Sequence, residues 1–246
     1  MDRDYILNLQ FTRNEQTKIV CPQCGVGRLA CVPKSIFMKA SAEIDYADPE
    51  SCDFVVSGIL ACSFEECRYP ISFAGIASTE PAYDQSPSGW SYHDTLTPKF
   101  FFPSLPIFQI PKNTPSTIAE ELNLSFSSFF NDTLSAGAHA RNAVERFLDE
   151  NGVSREISAK NGKNTKLKLH KRIELFKVSE ESLAMRLMAI KWLGNEAAHG
   201  GVLSKKDILD VYEVLSFVID DIYVHRSRAV RTGEISKEIE CKFKQV

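Results

Sequence analysis

Six of the seven cysteines in this 246-residue chain lie in its first third: Cys21, Cys24, Cys31, Cys52, Cys62 and Cys67. Two pairs among them have the spacing of metal ligands. Cys21-Pro22-Gln23-Cys24-Gly25 puts two thiols on one tight turn whose backbone amides can point at the sulfurs, and Gly25 permits the turn. Cys62 to Cys67 is a C-x4-C pair at the end of the apolar run Phe54 to Ala61. Two such pairs, each at a strand end, make the four-thiolate tetrahedron of a zinc ribbon. Clustered cysteines in a chain without an export signal read as ligands rather than disulfides. Zinc is the expected metal, although iron also accepts four thiolates. Four protein ligands leave no position for water, so the ion's expected role is structural. Cys31 and Cys52 read as spare or buried thiols.

Further along, polar residues recur at helical spacing. Arg141 and Glu145 are i, i+4, as are Asn195 and His199 just before Gly200-Gly201. Small neighbours (Ala138, Ala140, Ala197, Ala198) would let two helices cross closely there. His199 could close a helix C-terminus, bind a ligand or act as a base; Arg141 with Glu145 could be an internal ion pair or a phosphate clamp. A basic stretch lies between them. From Arg155 to Lys177, eight basic residues stand against Glu156 and Glu174, a local net of +6 in a chain of net −3. Lys163, Lys166, Lys168, Lys171 and Arg172 are the candidates for a phosphate backbone, although no aromatics interleave with them. His93, His139, His170 and His225 show no partner spacing.

At Arg141, Glu145 and the run Gly194 to Gly200 the sequence resembles the HEPN-like domain of unknown function 4145 family. The likeness covers roughly 101–223, and members often carry a zinc ribbon in front. It implies an α-helical HEPN-like bundle, often dimeric, in prokaryotic restriction or anti-phage defence. Active HEPN ribonucleases use an R-x4-6-H motif, in which a histidine takes the 2′-OH proton and an arginine steadies the phosphate, without metal. His199 matches that histidine and Asn195 its polar neighbour. The arginine slots hold Trp192, Leu193 and Gly194.

Elements must position these groups. Upstream of Pro111, short β-like runs (36–44, 54–61, 71–77) alternate with turn formers. The stretch Lys99 to Pro115 holds four prolines with Phe100, Phe101, Phe102 and Phe108, and reads as an extended connector pinned by its aromatics. Downstream the period becomes helical: a start at Pro115-Ser116, a helix over about 125–150, a short helix over 167–176, and one from about 179. That helix is apolar on two faces, Leu183, Leu187 and Ile190 against Met185, Met188 and Trp192, as in a central element. The last helix, 205 to about 226, carries Ser204 as N-cap, and a charged, frayed tail follows.

The expected fold class is therefore α+β: a small N-terminal β zinc ribbon followed by a C-terminal α-helical, HEPN-like bundle. The expected division is 1–98 ribbon, 99–115 connector, 116–228 bundle and 229–246 tail. Composition is ordinary for a globular protein, with 43% hydrophobic and 25% charged residues. No apolar run approaches the roughly 20 residues that span a bilayer, and the polar start lacks a secretory signal, so a soluble cytoplasmic protein is expected. The expected function is a non-catalytic scaffold of a defence or restriction-type system. It would form a homodimer through the HEPN-like bundle and bind RNA, DNA or a defence-system protein, with no membrane partner. The alternative is a divergent metal-independent ribonuclease or toxin using His199, Asn195 and Arg141.

Overall fold

The computed structural model describes residues 2–40, 53–83, 89–158, 164–198 and 202–244. It is a mixed α+β structure of two compact units, Met1–Ile107 with Phe126–Thr133, and Phe108–Ser125 with Leu134–Val246.

The first unit is built on a seven-stranded antiparallel sheet. A short helix, α1 (Arg3–Leu7), is capped by Asp2, whose carboxylate accepts from the Tyr5 amide. The strands follow: β1 (Phe11–Thr12), β2 (Gln16–Val20), β3 (Arg28–Cys31), β4 (Phe37–Ala40), β5 (Phe54–Cys62), β6 (Pro70–Tyr83) and β7 (Trp90–Phe102). The order is β1-β7-β6-β5-β3-β2, with β4 on the other half of the β5 edge. β1 and β2 are joined by only three residues yet stand at opposite ends of that order. The sheet must therefore curl until its ends nearly meet, giving a near-barrel. The Cys31 thiol donates to the Thr12 carbonyl across the gap.

A bulge assists the curl. Ala74 pairs Phe100 but Gly75 pairs Pro98, so Lys99 is the extra residue. A Cβ on Gly75 would lie 2.3 Å from the Thr97 carbonyl oxygen, which explains the glycine. Pro98, with no amide to give the ladder, is tolerated beside the bulge. Alternation sends Ile19, Leu29, Val56, Leu60, Ile71, Phe73 and Leu96 inward to form the core.

Lys99 to Phe102 thus belongs to a strand rather than to the expected connector. Strand alternation buries Phe101, edge-on to Phe130 at 5.0 Å, and leaves Phe100 and Phe102 exposed.

The helical unit holds most of α2 (Ser116–Ser128), then α3 (Thr133–Glu150), a hairpin of β8 (Glu156–Ser158) and β9 (Asn164–Lys166), α4 (Leu169–Lys177), α5 (Glu181–Ala198), α6 (Lys205–Asp220), a π-helical turn (Asp221–Arg226) and α7 (Ser227–Phe243). The break between α2 and α3 falls at 129–132, later than the expected start at 125, because α2 runs on to Ser128. A buried chain of hydroxyls ties three helices: Tyr212 meets Ser125 at 2.8 Å, and Ser125 donates to the Ala136 carbonyl at 2.7 Å. Burial holds the Tyr212 phenol well above its usual range. Gly137 lets α3 approach the start of α6, since a Cβ there would meet Leu203, just before that helix, at 2.9 Å and Ile208 within it at 3.3 Å. On α5, Leu183, Leu187 and Ile190 are buried and Met188 is half-buried, while Met185 is exposed. The expected two-faced burial does not hold at Met185; α5 packs against α4 and α6, and the side chain of Trp192 lies outside the described residues. Ser204 caps α6 in a full capping box with Asp207. The expected frayed tail is instead helix α7. Among the described residues no helix is long and apolar enough to cross a membrane.

Candidate metal centre

Two loops at one end of the sheet carry the four cysteines. The first joins β2 to β3, the second β5 to β6, and antiparallel pairing of β3 with β5 (Leu29 opposite Cys62) brings the two loops together. Ser63 donates its amide to the Arg28 carbonyl at 2.8 Å, tying the loops further.

Each loop turns the same way. Gly25, after Cys24, has φ +68°; Arg68, after Cys67, has φ +50°. In each case a left-handed residue follows the second cysteine, and its amide returns to the start of the turn: Gly25 to the Cys21 carbonyl, Arg68 to that of Phe64. Glycine occupies such a position without strain, whereas arginine pays a steric penalty. Gly27 serves differently: a Cβ there would stand 2.5 Å from the Cys62 sulfur.

The sulfurs of Cys21, Cys24, Cys62 and Cys67 all lie within 4.8 Å of one another. Cys21 to Cys67 is 3.8 Å and Cys24 to Cys62 is 3.6 Å. All four are free thiols. A metal with bonds to sulfur of about 2.3 Å at the centre of a tetrahedron sets edges of about 3.8 Å. These four residues therefore fit a metal ion, and they form a closed set of donors. Backbone amides add to the fit. Those of Val26 and Gly27 hydrogen-bond Cys24 and hold its thiol down at about 6. Burial pushes Cys62 up to about 12 against the amide of Phe64. At Cys67 the Tyr69 amide pulls the thiol down, but burial and the neighbouring sulfurs of Cys24 and Cys21 outweigh it, and the value is raised. Four crowded sulfurs cannot all ionise without a cation; a bound metal would deprotonate them together. Cys31 lies away from this set, half-buried, its thiol pushed up to about 11 by burial although Arg13 opposes it. Cys52 lies outside the described residues.

The helical candidates fare unevenly. Arg141 faces Glu145 at 3.7 Å along α3. His199 lies outside the described residues, as does the side chain of Asn195, so their relation to Arg141 is not described. In the basic stretch, Lys166 and Lys168 are exposed beside the β8–β9 hairpin, and Lys163 lies outside the described residues. Lys171 is paired with Glu174 at 3.0 Å.

Arg172 is placed otherwise than expected. Its side chain is only 3% exposed and bonds Asp149 at 2.7 Å and the Val153 carbonyl at 3.0 Å. It sits on the same buried stripe as Leu169, Ile173 and Phe176, so its guanidinium faces the end of α3 rather than solvent. Asp149 also bonds Arg155, and these two arginines hold its carboxyl below the usual range. The sequence offered no local sign of this knot, since Asp149 and Arg172 are 23 positions apart. His139 likewise has a distant partner, Glu121 at 2.9 Å, whereas His170 meets Glu174 at the i, i+4 spacing.

No curated protein and no solved structure matches the chain. Residues 9–101, which include nearly all of the sheet and both cysteine loops, match the family described as Domain of unknown function (DUF8608). Residues 123–241 match Domain of unknown function (DUF4145), which supports, for the helical part, the family its motifs resemble.

Proposed function

We propose that the chain is a non-catalytic binding protein in which a structural zinc ion stabilises a ribbon-like end of the sheet and a HEPN-like bundle carries a nucleic-acid-binding edge. The observation that carries this reading is the closed thiol tetrahedron. Four sulfurs at zinc-like edges leave no coordination position for a substrate or an attacking water, so the ion's contribution is to folding. The reducing cytoplasm suits such a site.

The binding edge is the β8–β9 hairpin with the start of α4. Its strands are exposed throughout, and Lys166 and Lys168 project from a stretch of local net +6. Phosphate contacts of this kind give affinity without sequence preference. Gly194 in place of the HEPN arginine argues against hydrolysis. A prokaryotic defence or restriction setting, with a protein partner of that system, follows from the family resemblance.

The test uses labelled single-stranded RNA and duplex DNA with the full chain in EDTA-free and EDTA-containing buffer. Binding that weakens steeply with salt, and weakens further in Lys166→Glu with Lys168→Glu, supports the proposal. RNA cleavage that survives brief EDTA treatment and is lost in His199→Ala would establish the ribonuclease instead.

A further inference from the structure

Strand alternation turns every second side chain of the sheet away from its core, and on β4 to β7 those outward positions are largely apolar. Opposite partners set three rows across the strands. The first is Ile59, Ser72 and Phe102 on β5, β6 and β7. The second runs from β4 to β7 as Phe37, Ser57, Ala74 and Phe100. The third is Lys39, Val55, Ile76 and Thr97. Phe37, Phe100 and Phe102 are 65, 52 and 80% exposed. Three phenylalanines left in water on one face mark a surface that something covers.

The spacing of the rings gives the face its shape. Phe100 and Phe102 stand side by side on β7, about 7 Å apart at ~3.4 Å per residue. Phe37 stands opposite Phe100 at the far end of its row, about 14 Å away at ~4.8 Å per strand. Between them Ser57, Ser72 and Ala74 are too short to fill the space, so the rings border a shallow trough floored partly by exposed hydroxyls. Lysines stand around it. Lys39 ends the third row, and Lys99 is the bulge residue next to Phe100. Lys34 belongs to the Pro33–Ser35 turn, whose Ser35 hydroxyl accepts from the Ile59 amide at 2.9 Å. No residue of the three rows is acidic, and Asp53 and Glu80 lie beyond the third.

We propose that this outer face binds single-stranded nucleic acid, with bases stacked on Phe37, Phe100 and Phe102 and phosphates met by Lys34, Lys39 and Lys99. Rings about 7 Å apart take successive bases only from a strand drawn out to about twice the ~3.4 Å rise of a duplex, so paired DNA does not fit. An apolar protein surface would leave three ammonium groups and two serine hydroxyls unmatched, whereas phosphates and base edges offer acceptors to all of them. The ligand class is that of the β8–β9 proposal, but no residue is shared. Stacking makes this face select unpaired strands, which the phosphate contacts of the hairpin do not.

Fluorescence anisotropy on the full chain tests it, with labelled oligothymidylate and oligouridylate of about 12 nucleotides and a duplex of the same length. Single strands are expected to bind, and Phe100→Ala or Phe102→Ala to weaken them roughly tenfold. Thermal melts should be unchanged, because both rings already lie in water. Phe102→Trp should keep the affinity and add an indole emission that the oligonucleotide quenches, a direct sign of contact. Binding of oligothymidylate alone assigns DNA to the face, and of oligouridylate alone RNA. The duplex arm reads the hairpin separately: duplex binding should fall with Lys166→Glu and Lys168→Glu and ignore the phenylalanine changes. Failure of either single strand to bind, or single-strand affinity indifferent to all three phenylalanines, overturns the proposal. So does sedimentation in which the same changes dissociate a protein complex, since protein would then cover the face.

Discussion

Two of the interior polar clusters are stabilised in opposite ways. At the end of the sheet, four sulfurs of like character crowd within 4.8 Å of one another and could hold an ion supplied from outside. At the end of α3, Arg172 is as deeply buried, but the chain supplies the counter-charge itself through Asp149. On the proposed reading the first arrangement makes folding conditional on metal; the second is complete as soon as the chain folds. A short loop has few apolar side chains to contribute, and a bound ion would do the work of a core there. Between α3 and α4, where Phe147 and Phe176 already stack edge-on at 5.7 Å, one internal ion pair suffices.

Breaking the metal site has the largest expected effect. Cys24→Ser or Cys62→Ser abolishes stoichiometric zinc in the purified chain, measured by elemental mass spectrometry. It also destabilises the sheet unit by about 5 kcal/mol or more, seen in thermal melts. Acid does the same to the intact chain: protons compete for thiolates, so zinc release should rise as pH falls and sharpen with added chelator.

The internal pair should cost less. Asp149→Ala strands a buried guanidinium and is expected to lose about 3 kcal/mol in denaturant titration, whatever the metal content. Because the Asp149 carboxyl is held below its ordinary value of 3.8, its contribution is fully present above that pH and fades as pH falls through the lowered value. A melt that depends on zinc in Asp149→Ala alone would break the contrast between the two sites.

A smaller effect compares the two cysteine loops. Arg68→Gly removes left-handed strain and should stabilise the holo form by about 0.5 kcal/mol, while Gly25→Ala at the equivalent position should destabilise it by about 1 kcal/mol. Equal signs for the two would show that the turns are not equivalent. Ser204→Ala, remote from both sites, should cost about 1 kcal/mol through the lost cap of α6 and leave zinc binding untouched.

The legibility of these features follows their sequence range. Each cysteine pair is local, and so is the Ser204 cap, so both could be read from spacing. β7 was hidden by the Pro98–Lys99 bulge, which interrupts its alternation and makes Lys99 to Phe102 resemble a loop. The boundary of α2 and α3 shifted because Phe129 and Phe130 are apolar enough to continue either helix, and packing chose the break. α7 carries charges that read as a tail, yet their spacing is helical.

By itself the sequence marked the two closely spaced cysteine pairs, the helical character of the second half and the absence of a membrane-length apolar run. The tertiary structure decided which cysteines converge, because that depends on the register of β3 against β5. It turned Arg172 inward, because a guanidinium follows the face of its helix toward whatever carboxylate the fold brings near. It also set a near-closed sheet around the cysteine loops, because strand order is fixed by pairings between residues far apart in the chain, which no local pattern records.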